Sequence, residues 1–310
     1  MLTRIPKTDI KRGMFVEAVE CAAVVFSKRR FFVRSERDLS EIMDSPAEFV
    51  LINTAIDADG EPSTEVAAAA MRQAGSLLTK AEALAAASVM VARSVKVLKT
   101  ELISMVTGRG FNMAHIGPVI EEIARADPET SSLYVQVSRL KQKDETSFQH
   151  SLSVGILMGK LGDALDLDMD TIEMLVLAGM LHDVGKLTIS KDILQKQGPL
   201  TVPERKLIQS HPRRGHQILT RYPGIPAEVL EICLHHHELI DGSGYPSGKA
   251  GDEIGLLVRI STVCDVFDAL TSVRPYKRGW SVSEALSWMF ERDQHFDRKL
   301  VLRLGASIHA

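Results

Sequence analysis

The sequence predicts a mainly α-helical protein: a helical bundle preceded by a small α+β module. Three observations predict it. Paired β-branched and aromatic residues are concentrated before residue 58, helical periodicity and capping pairs dominate afterwards, and the run Ala58-Asp59-Gly60-Glu61-Pro62-Ser63 punctuates the change. The 310 residues set a prior of about two domains. With 45% apolar and 25% charged residues, the chain has the balance of a globular protein that buries a core. The expected divisions are residues 1–58 as the α+β module, 59–142 as a helical connecting region and 143–310 as the helical domain that carries the chemistry.

In the first stretch Val24, Val25, Phe26, Phe31, Phe32 and Val33 flank the basic turn Ser27-Lys28-Arg29-Arg30, which reads as a hairpin. Phe49 to Ile52 is a further strand. Ser35 to Met43 reads as a short helix with Ser35 as N-cap and Asp38 at N3. Beyond the linker, Thr79 with Glu82 is a capping pair, and Leu84, Ala87, Val91, Val95 and Leu98 recur at helical spacing. Lys96, Lys99 and Glu101 then form a solvated face. Further helices are expected over about Ile116 to Arg125 and Ser131 to Gln142. Asp170 with Glu173, Thr201 with Glu204 and Ser281 with Glu284 mark three more N-termini. The helix from Asp170 is apolar nearly all round and should lie at the centre of the bundle. It runs into His182 and Asp183, with Gly185 as its stop. Charged groups at the end of the most buried helix are paired or bind a metal, because an isolated ion is costly to bury.

Several function classes are excluded. The net charge of −3 provides no general positive field for DNA, although a local basic pocket for phosphate is allowed. Cys21, Cys233 and Cys264 form no CxxC and read as small buried hydrophobes. No apolar run reaches the roughly 18 residues of a membrane helix, so no membrane insertion is expected. The first residues, with Arg4, Lys7, Lys11 and Arg12, lack the apolar core of a secretory signal, which leaves a cytoplasmic location as the default.

Six of the ten histidines fall between His182 and His237: His182, His211, His216, His235, His236 and His237. His150 lies upstream and Asp265 downstream. Imidazole and carboxylate suit Fe, Mn, Zn, Co or Ni. Five histidines and two aspartates are too many for one tetrahedral zinc. They suit two ions that share a bridging carboxylate and act on a phosphorus centre, where a bridging water becomes hydroxide near neutral pH.

The motifs then become specific. His182-Asp183 with Gly185-Lys186 resembles the HD motif of metal-dependent phosphohydrolases. His236-His237-Glu238 followed by Asp241-Gly242-Ser243-Gly244-Tyr245-Pro246 resembles the second signature of the HD-GYP family. Asp265 to Ser272, Arg274-Pro275-Tyr276-Lys277, His211-Pro212 and His150-Ser151 are similar to its other motifs, so the resemblance covers about residues 140–300. Residues 1–58 more weakly resemble the small domain of unassigned function that often precedes HD-GYP domains.

The resemblance implies an HD-type helical bundle and hydrolysis of cyclic di-GMP to pGpG, GMP or both, by a hydroxide between two divalent ions, Fe or Mn. It implies metal ligands His150, His182, Asp183, His211, His236, His237 and Asp265, with Asp183 bridging and Asp183 and Lys186 catalytic. Substrate contacts are implied for Lys186, Arg274, Lys277, Gly244 and Tyr245. One departure bears on metal number. Where some members carry a glutamate one turn before the first histidine, this chain has Thr146, which favours two ions over three, with Glu145 on another face.

His235, His216, His115, His295 and His309 are expected to lie outside the centre. Asp268, Glu238 and Asp241 are expected to support ligands, and Trp280 and Trp288 to pack in the core or a lid. The alternatives are a slow cyclic-dinucleotide receptor or scaffold acting through protein partners, and a phosphohydrolase for a mononucleotide or another cyclic dinucleotide. The N-terminal module is expected either to gate the site or to mediate homodimer contacts.

Overall fold

A computed structural model describes residues 2–20, 31–45, 47–54, 64–139, 146–272 and 279–309. The chain divides into two units, Met1–Ala81 and Glu82–Ala310.

In the first unit, strands β1 (Leu2–Pro6), β2 (Phe15–Glu20), β3 (Phe31–Phe32) and β4 (Phe49–Asn53) form an antiparallel sheet in the order β1-β4-β2-β3. Alternation along β4 turns Val50 and Ile52 inward. Helix α1 (Glu36–Met43) adds Ile42 to the same small core, which also holds Ile10, Val16 and Val33. Its N-terminus is the expected capping box: the Ser35 hydroxyl accepts from the Asp38 amide, and Asp38 Oδ2 accepts from the Ser35 amide at 2.9 Å. Phe31 and Phe32 are a strand as expected, paired with Val16 and Phe15. Val24 to Phe26 and the turn Ser27 to Arg30 lie outside the described residues, as do Cys21 and the linker 58–63. β1 and β2 were not anticipated, because their apolar residues are interleaved with Thr3, Arg4 and Glu17 and show no continuous run.

Thr79 does not start a helix. Helix α2 (Thr64–Val106) is already running there, since the alanine-rich stretch upstream favours helix as strongly as the stretch that follows. α3 (Met113–Ala124) begins three residues earlier than expected, with Asn112 Oδ1 accepting from the Ala114 amide. α4 (Pro128–Ser138) begins at Pro128 with Asp127 as cap. Residues 140–142, the expected end of that helix, lie outside the described residues.

The rest of the second unit comprises α5 (Thr146–Ala164), α6 (Met169–Leu181), α7 (Lys191–Leu194), α8 (Val202–Gln209), α9 (His211–Leu219), α10 (Ala227–His235), α11 (Leu256–Thr271), α12 (Val282–Phe290) and α13 (Arg298–His309). One apolar core runs through it from Ala87 on α2 to Leu304 on α13. Its Trp280 and Trp288 meet edge to face against that core. Thr201/Glu204 and Ser281/Glu284 are capping boxes. The cap of α6 is Asp168, not Asp170. Asp168 accepts from both the amide and the hydroxyl of Thr171, leaving Asp170 inside the first turn, where the helix dipole favours it. Among the described residues no helix is long and apolar enough to cross a membrane.

α5 and α6 are the central pair. Gly155 and Gly179 sit where they touch: a Cβ on Gly179 would fall 2.5 Å from the Cα of Gly155. This contact brings the C-terminal end of α6 down beside the first turns of α5, which places His182 next to His150.

Candidate metal centre

Five helix positions deliver seven side chains to one place. His150 lies in the second turn of α5. His182 caps α6 and Asp183 follows it; His211 opens α9; His236 caps α10 and His237 follows it; Asp265 lies within α11. Their ligand atoms form three overlapping groups, each within 4.8 Å: Asp183 with His211, His236 and His237; His150 with His182 and Asp183; His182 with His236 and Asp265. After Asp183 the chain continues as a short 3-10 turn, Val184–Thr188, against α9. Gly185 is therefore not the stop that was expected. A Cβ there would fall 2.0 Å from the His211 carbonyl oxygen, so glycine is required for close packing of two ligand segments.

Hydrogen bonds to backbone and carboxylate oxygens orient the rings. Nδ1 of His182 donates to the Gly179 carbonyl and Nδ1 of His211 to that of Ile208, both at 2.7 Å. Nδ1 of His236 donates to the Cys233 carbonyl at 3.0 Å, and that of His150 to Asp268 Oδ2 at 2.6 Å. A neutral imidazole has one donor and one acceptor, so all four present an Nε2 lone pair to the centre. Nε2 of His211 and His236 face each other at 3.2 Å. Among the described residues, buried His182 Nε2 and Asp183 Oδ1 have no hydrogen-bond partner. Asp183 Oδ1 lies 3.1 Å from His211 Nε2 and 3.7 Å from that of His236; Oδ2 lies 3.5 Å from Nε2 of both His150 and His182. Asp265 Oδ1 approaches His150 Nε2 at 3.0 Å, and Oδ2 approaches His237 Nδ1 at 3.7 Å. Converging lone pairs on buried rings repel unless a cation lies among them. The nitrogen and oxygen donors fit a divalent transition metal.

Charge states agree. Burial pulls the His182 imidazole down to about 4, against the opposing pull of Asp183. Burial lowers His211 and His237 as well. Burial alone would raise the Asp183 carboxyl, but Lys186 and the surrounding imidazoles hold it well below the usual range. Asp265 is held low in the same way, chiefly by His150. At neutral pH His182, His211 and His237 are thus neutral, and Asp183 and Asp265 are ionised.

This predicts acid sensitivity in the metal-free chain. An unfolded histidine takes a proton near pH 6.5, whereas folded His182 takes one only near pH 4. The unfolded state therefore binds more protons within that window, and stability falls as pH falls through it. His182 alone contributes about 3 kcal/mol to the loss. Urea unfolding with a chelator present should show the midpoint dropping between pH 7 and pH 4.5; a flat midpoint would contradict the burial argument.

The surroundings differ in role. Lys186 Nζ lies 2.5 Å from Asp183 Oδ2 and is partly exposed. The Tyr245 ring stacks on His237 with centroids 4.7 Å apart, and its amide donates to the His237 carbonyl. Burial, then the charges of Asp265 and Asp183, push the Tyr245 phenol up, so it stays a neutral donor. At Gly244 a Cβ would fall 2.5 Å from the His237 carbonyl oxygen, so the loop backbone presses directly on the ligand segment. Arg274 and Lys277 lie outside the described residues. His235 turns away to Glu238, at 3.4 Å, and His115 and His295 pair with Glu101 and Asp241; Glu101 is buried and not on the solvated face expected for it. Asp241 is a turn residue that accepts from the amide and hydroxyl of Ser243.

Glu238 and Asp268 support the centre in ways the sequence only partly revealed. Buried Glu238 accepts from the amides of Ser247 and Lys249, at 2.7 and 3.1 Å, and so ties the Gly-Tyr-Pro loop to the His236-His237 segment. Glu238→Ala strands both amides and is expected to cost about 2 kcal/mol of loop stability. Faster hydrogen exchange at Ser247 and Lys249 would register it; unchanged exchange would refute it. Ser153, which contacts Asp268, was not foreseen, although it lies one turn after His150 on the same face.

The HD domain family matches residues 134–300, and a domain of unknown function, DUF3391, matches residues 2–143. A cyclic di-GMP phosphodiesterase of Pseudomonas aeruginosa is 36% identical over 308 residues, 96% of this chain and 74% of that protein. The cyclic di-GMP phosphodiesterase response regulator RpfG of Xanthomonas campestris is 35% identical over 184 residues, 59% of this chain and 48% of its own. A 3'3'-cGAMP-specific phosphodiesterase of Vibrio cholerae is 36% identical over 172 residues, 56% and 40% of the two chains. Among solved structures, an HDG"Y"P protein from Bdellovibrio bacteriovorus shares the fold over the full length of both chains, with a TM-score of 0.55 at 15% identity. With the ligand cluster in place and the family match covering more than half its length, this chain belongs to the HD domain family.

Proposed function

We propose that this protein is a metal-dependent phosphodiesterase that hydrolyses cyclic di-GMP to pGpG, GMP or both. The observation that carries the reading is the cluster of buried imidazoles whose Nδ1 atoms are already engaged and whose Nε2 lone pairs converge on Asp183. Each oxygen of Asp183 faces a different pair of histidines, so we assign two divalent ions, iron or manganese. His211, His236 and His237 would hold one, His150 and His182 with Asp265 the other, with Asp183 within reach of both. Bound there, the ions supply a nucleophile at neutral pH and offset charge on the phosphoryl oxygens.

The chain's own groups do the rest. Lys186, at the partly exposed edge of the centre, holds a phosphate oxygen by a charge-assisted hydrogen bond. The neutral Tyr245 hydroxyl donates to substrate, while its ring shields His237 from water. Gly244 lets the loop lie against the ligand segment without a side chain between them. Arg274 and Lys277 are assigned to the remaining phosphate oxygens on their motif alone. Cys233 and Cys264 are free and buried, which suits the reducing cytoplasm we assign.

The names of the relatives in Pseudomonas and Xanthomonas support cyclic di-GMP. The Vibrio relative supports a second reading, a mixed guanine–adenine ring. The test is product analysis on anaerobically purified protein loaded with Fe(II) or Mn(II), with both rings offered at equal concentration. Faster appearance of pGpG or GMP supports the first reading, and faster cleavage of the mixed ring supports the second. Tight binding without any cleavage would instead make the protein a receptor.

A further inference from the structure

Buried polar groups beside His150 form a chain that the proposed reaction leaves unused. Asp268 is fully buried on α11, one turn after Asp265. Its Oδ2 accepts from His150 Nδ1 at 2.6 Å, and its Oδ1 from the Ser153 hydroxyl at 2.5 Å. Ser153 in turn lies 3.1 Å from the hydroxyl of Ser138, the last residue of α4. All three side chains are essentially inaccessible to solvent.

Counting protons fixes the direction of the chain. An ionised carboxylate only accepts, so Ser153 spends its single proton on Asp268, and the Ser138–Ser153 bond requires Ser138 as donor. Among the described residues Ser138 has one competing acceptor, the Val135 carbonyl of its own helix, also at 3.1 Å. Asp268, held from one side by Ser153, receives the His150 proton on the other. That leaves His150 Nε2 as the acceptor pointing at Asp265 and Asp183.

We propose that Ser138 and Ser153 are positioning residues for the metal centre, acting in series through Asp268 to fix the tautomer and ring orientation of His150. The inference rests on the metal-centre reading above. It makes the end of α4, a helix without a ligand of its own, part of what sets the site.

The test titrates Mn2+ calorimetrically into the metal-stripped full chain. Both serines are buried, and alanine fits their space, so the variants should fold; thermal unfolding checks this. Ser153→Ala should weaken Mn2+ binding about tenfold, the size expected for loss of a group orienting a ligand. Ser138→Ala should weaken it about threefold, the lower range of coupling in a shared network. Ser138→Ala should add nothing in the Ser153→Ala background, because the Ser153 hydroxyl that carries its effect is then gone. Unchanged binding in Ser138→Ala, or full additivity in the double variant, would overturn the proposal. A wild-type chain that binds no Mn2+ would instead overturn the metal reading. The link is then judged from the His150 Nδ1 proton resonance: slow exchange in the wild type and loss in both alanine variants supports it, and persistence in both overturns it.

Discussion

Asp183→Ala is expected to remove bound metal and turnover together, whereas Lys186→Met is expected to remove turnover and leave the metal. Asp183 turns its two oxygens to separate histidine pairs: His211 and His236 on one side, His150 and His182 on the other. Its loss takes a negative ligand from every ion the cluster could hold. The fall in metal affinity should exceed the roughly 100-fold that follows loss of a supporting group. Lys186 touches the same carboxylate from the accessible side and contributes no lone pair to the cluster. Its removal should cost about 10²–10³ in kcat/KM, the scale for one electrostatic donor at a reacting oxygen. Elemental analysis of both variants, with rates measured on the same preparations, separates the two roles. If Lys186→Met also emptied the centre, the lysine would be a support for Asp183 and not a substrate contact.

The second large effect is structural. Gly179→Ala should destabilise the helical unit by about 3 kcal/mol or more, at the top of the range for overpacking. The added methyl meets backbone, not a flexible side chain: the Cα of Gly155 at 2.5 Å and its amide nitrogen at 2.6 Å. α5 and α6 must then separate, and His150 rides on one while His182 rides on the other. For a unit of this size the thermal midpoint should fall by about 6–12 °C. Metal affinity should fall with it, because the two rings move apart. A normal midpoint in Gly179→Ala would mean that the helices slide past each other without strain, and that the glycine contact does not set their spacing.

Much of this protein was legible before any coordinates. The capping boxes at Ser35, Thr201 and Ser281 were read correctly because a cap is a local bargain among four residues. The helix ending in His182-Asp183 was legible because an all-apolar stretch has only the middle of a bundle to occupy. At two other places the local signal is ambiguous. Thr79 has the form of a cap inside a stretch that is helical on both sides, and Asp170 sits two residues inside a helix that Asp168 caps better. β1 and β2 escaped because their pairing partner β4 lies more than 28 residues further along the chain.

By itself the sequence supplied the residue types for the chemistry and the motifs that carry them, because histidines and aspartates cluster at His182-Asp183, His211 and His236-His237. Only the tertiary structure decided that Asp183 turns its two oxygens to different histidine pairs and that His235, already expected outside the centre, takes Glu238 as its partner. The same holds for Gly155 against Gly179 and for Ser138 reaching His150 through Ser153 and Asp268. Those relations join segments distant in sequence. They depend on how closely two packed helices approach, and a few tenths of an ångström in that approach decide whether a lone pair meets a cation, a proton or another lone pair.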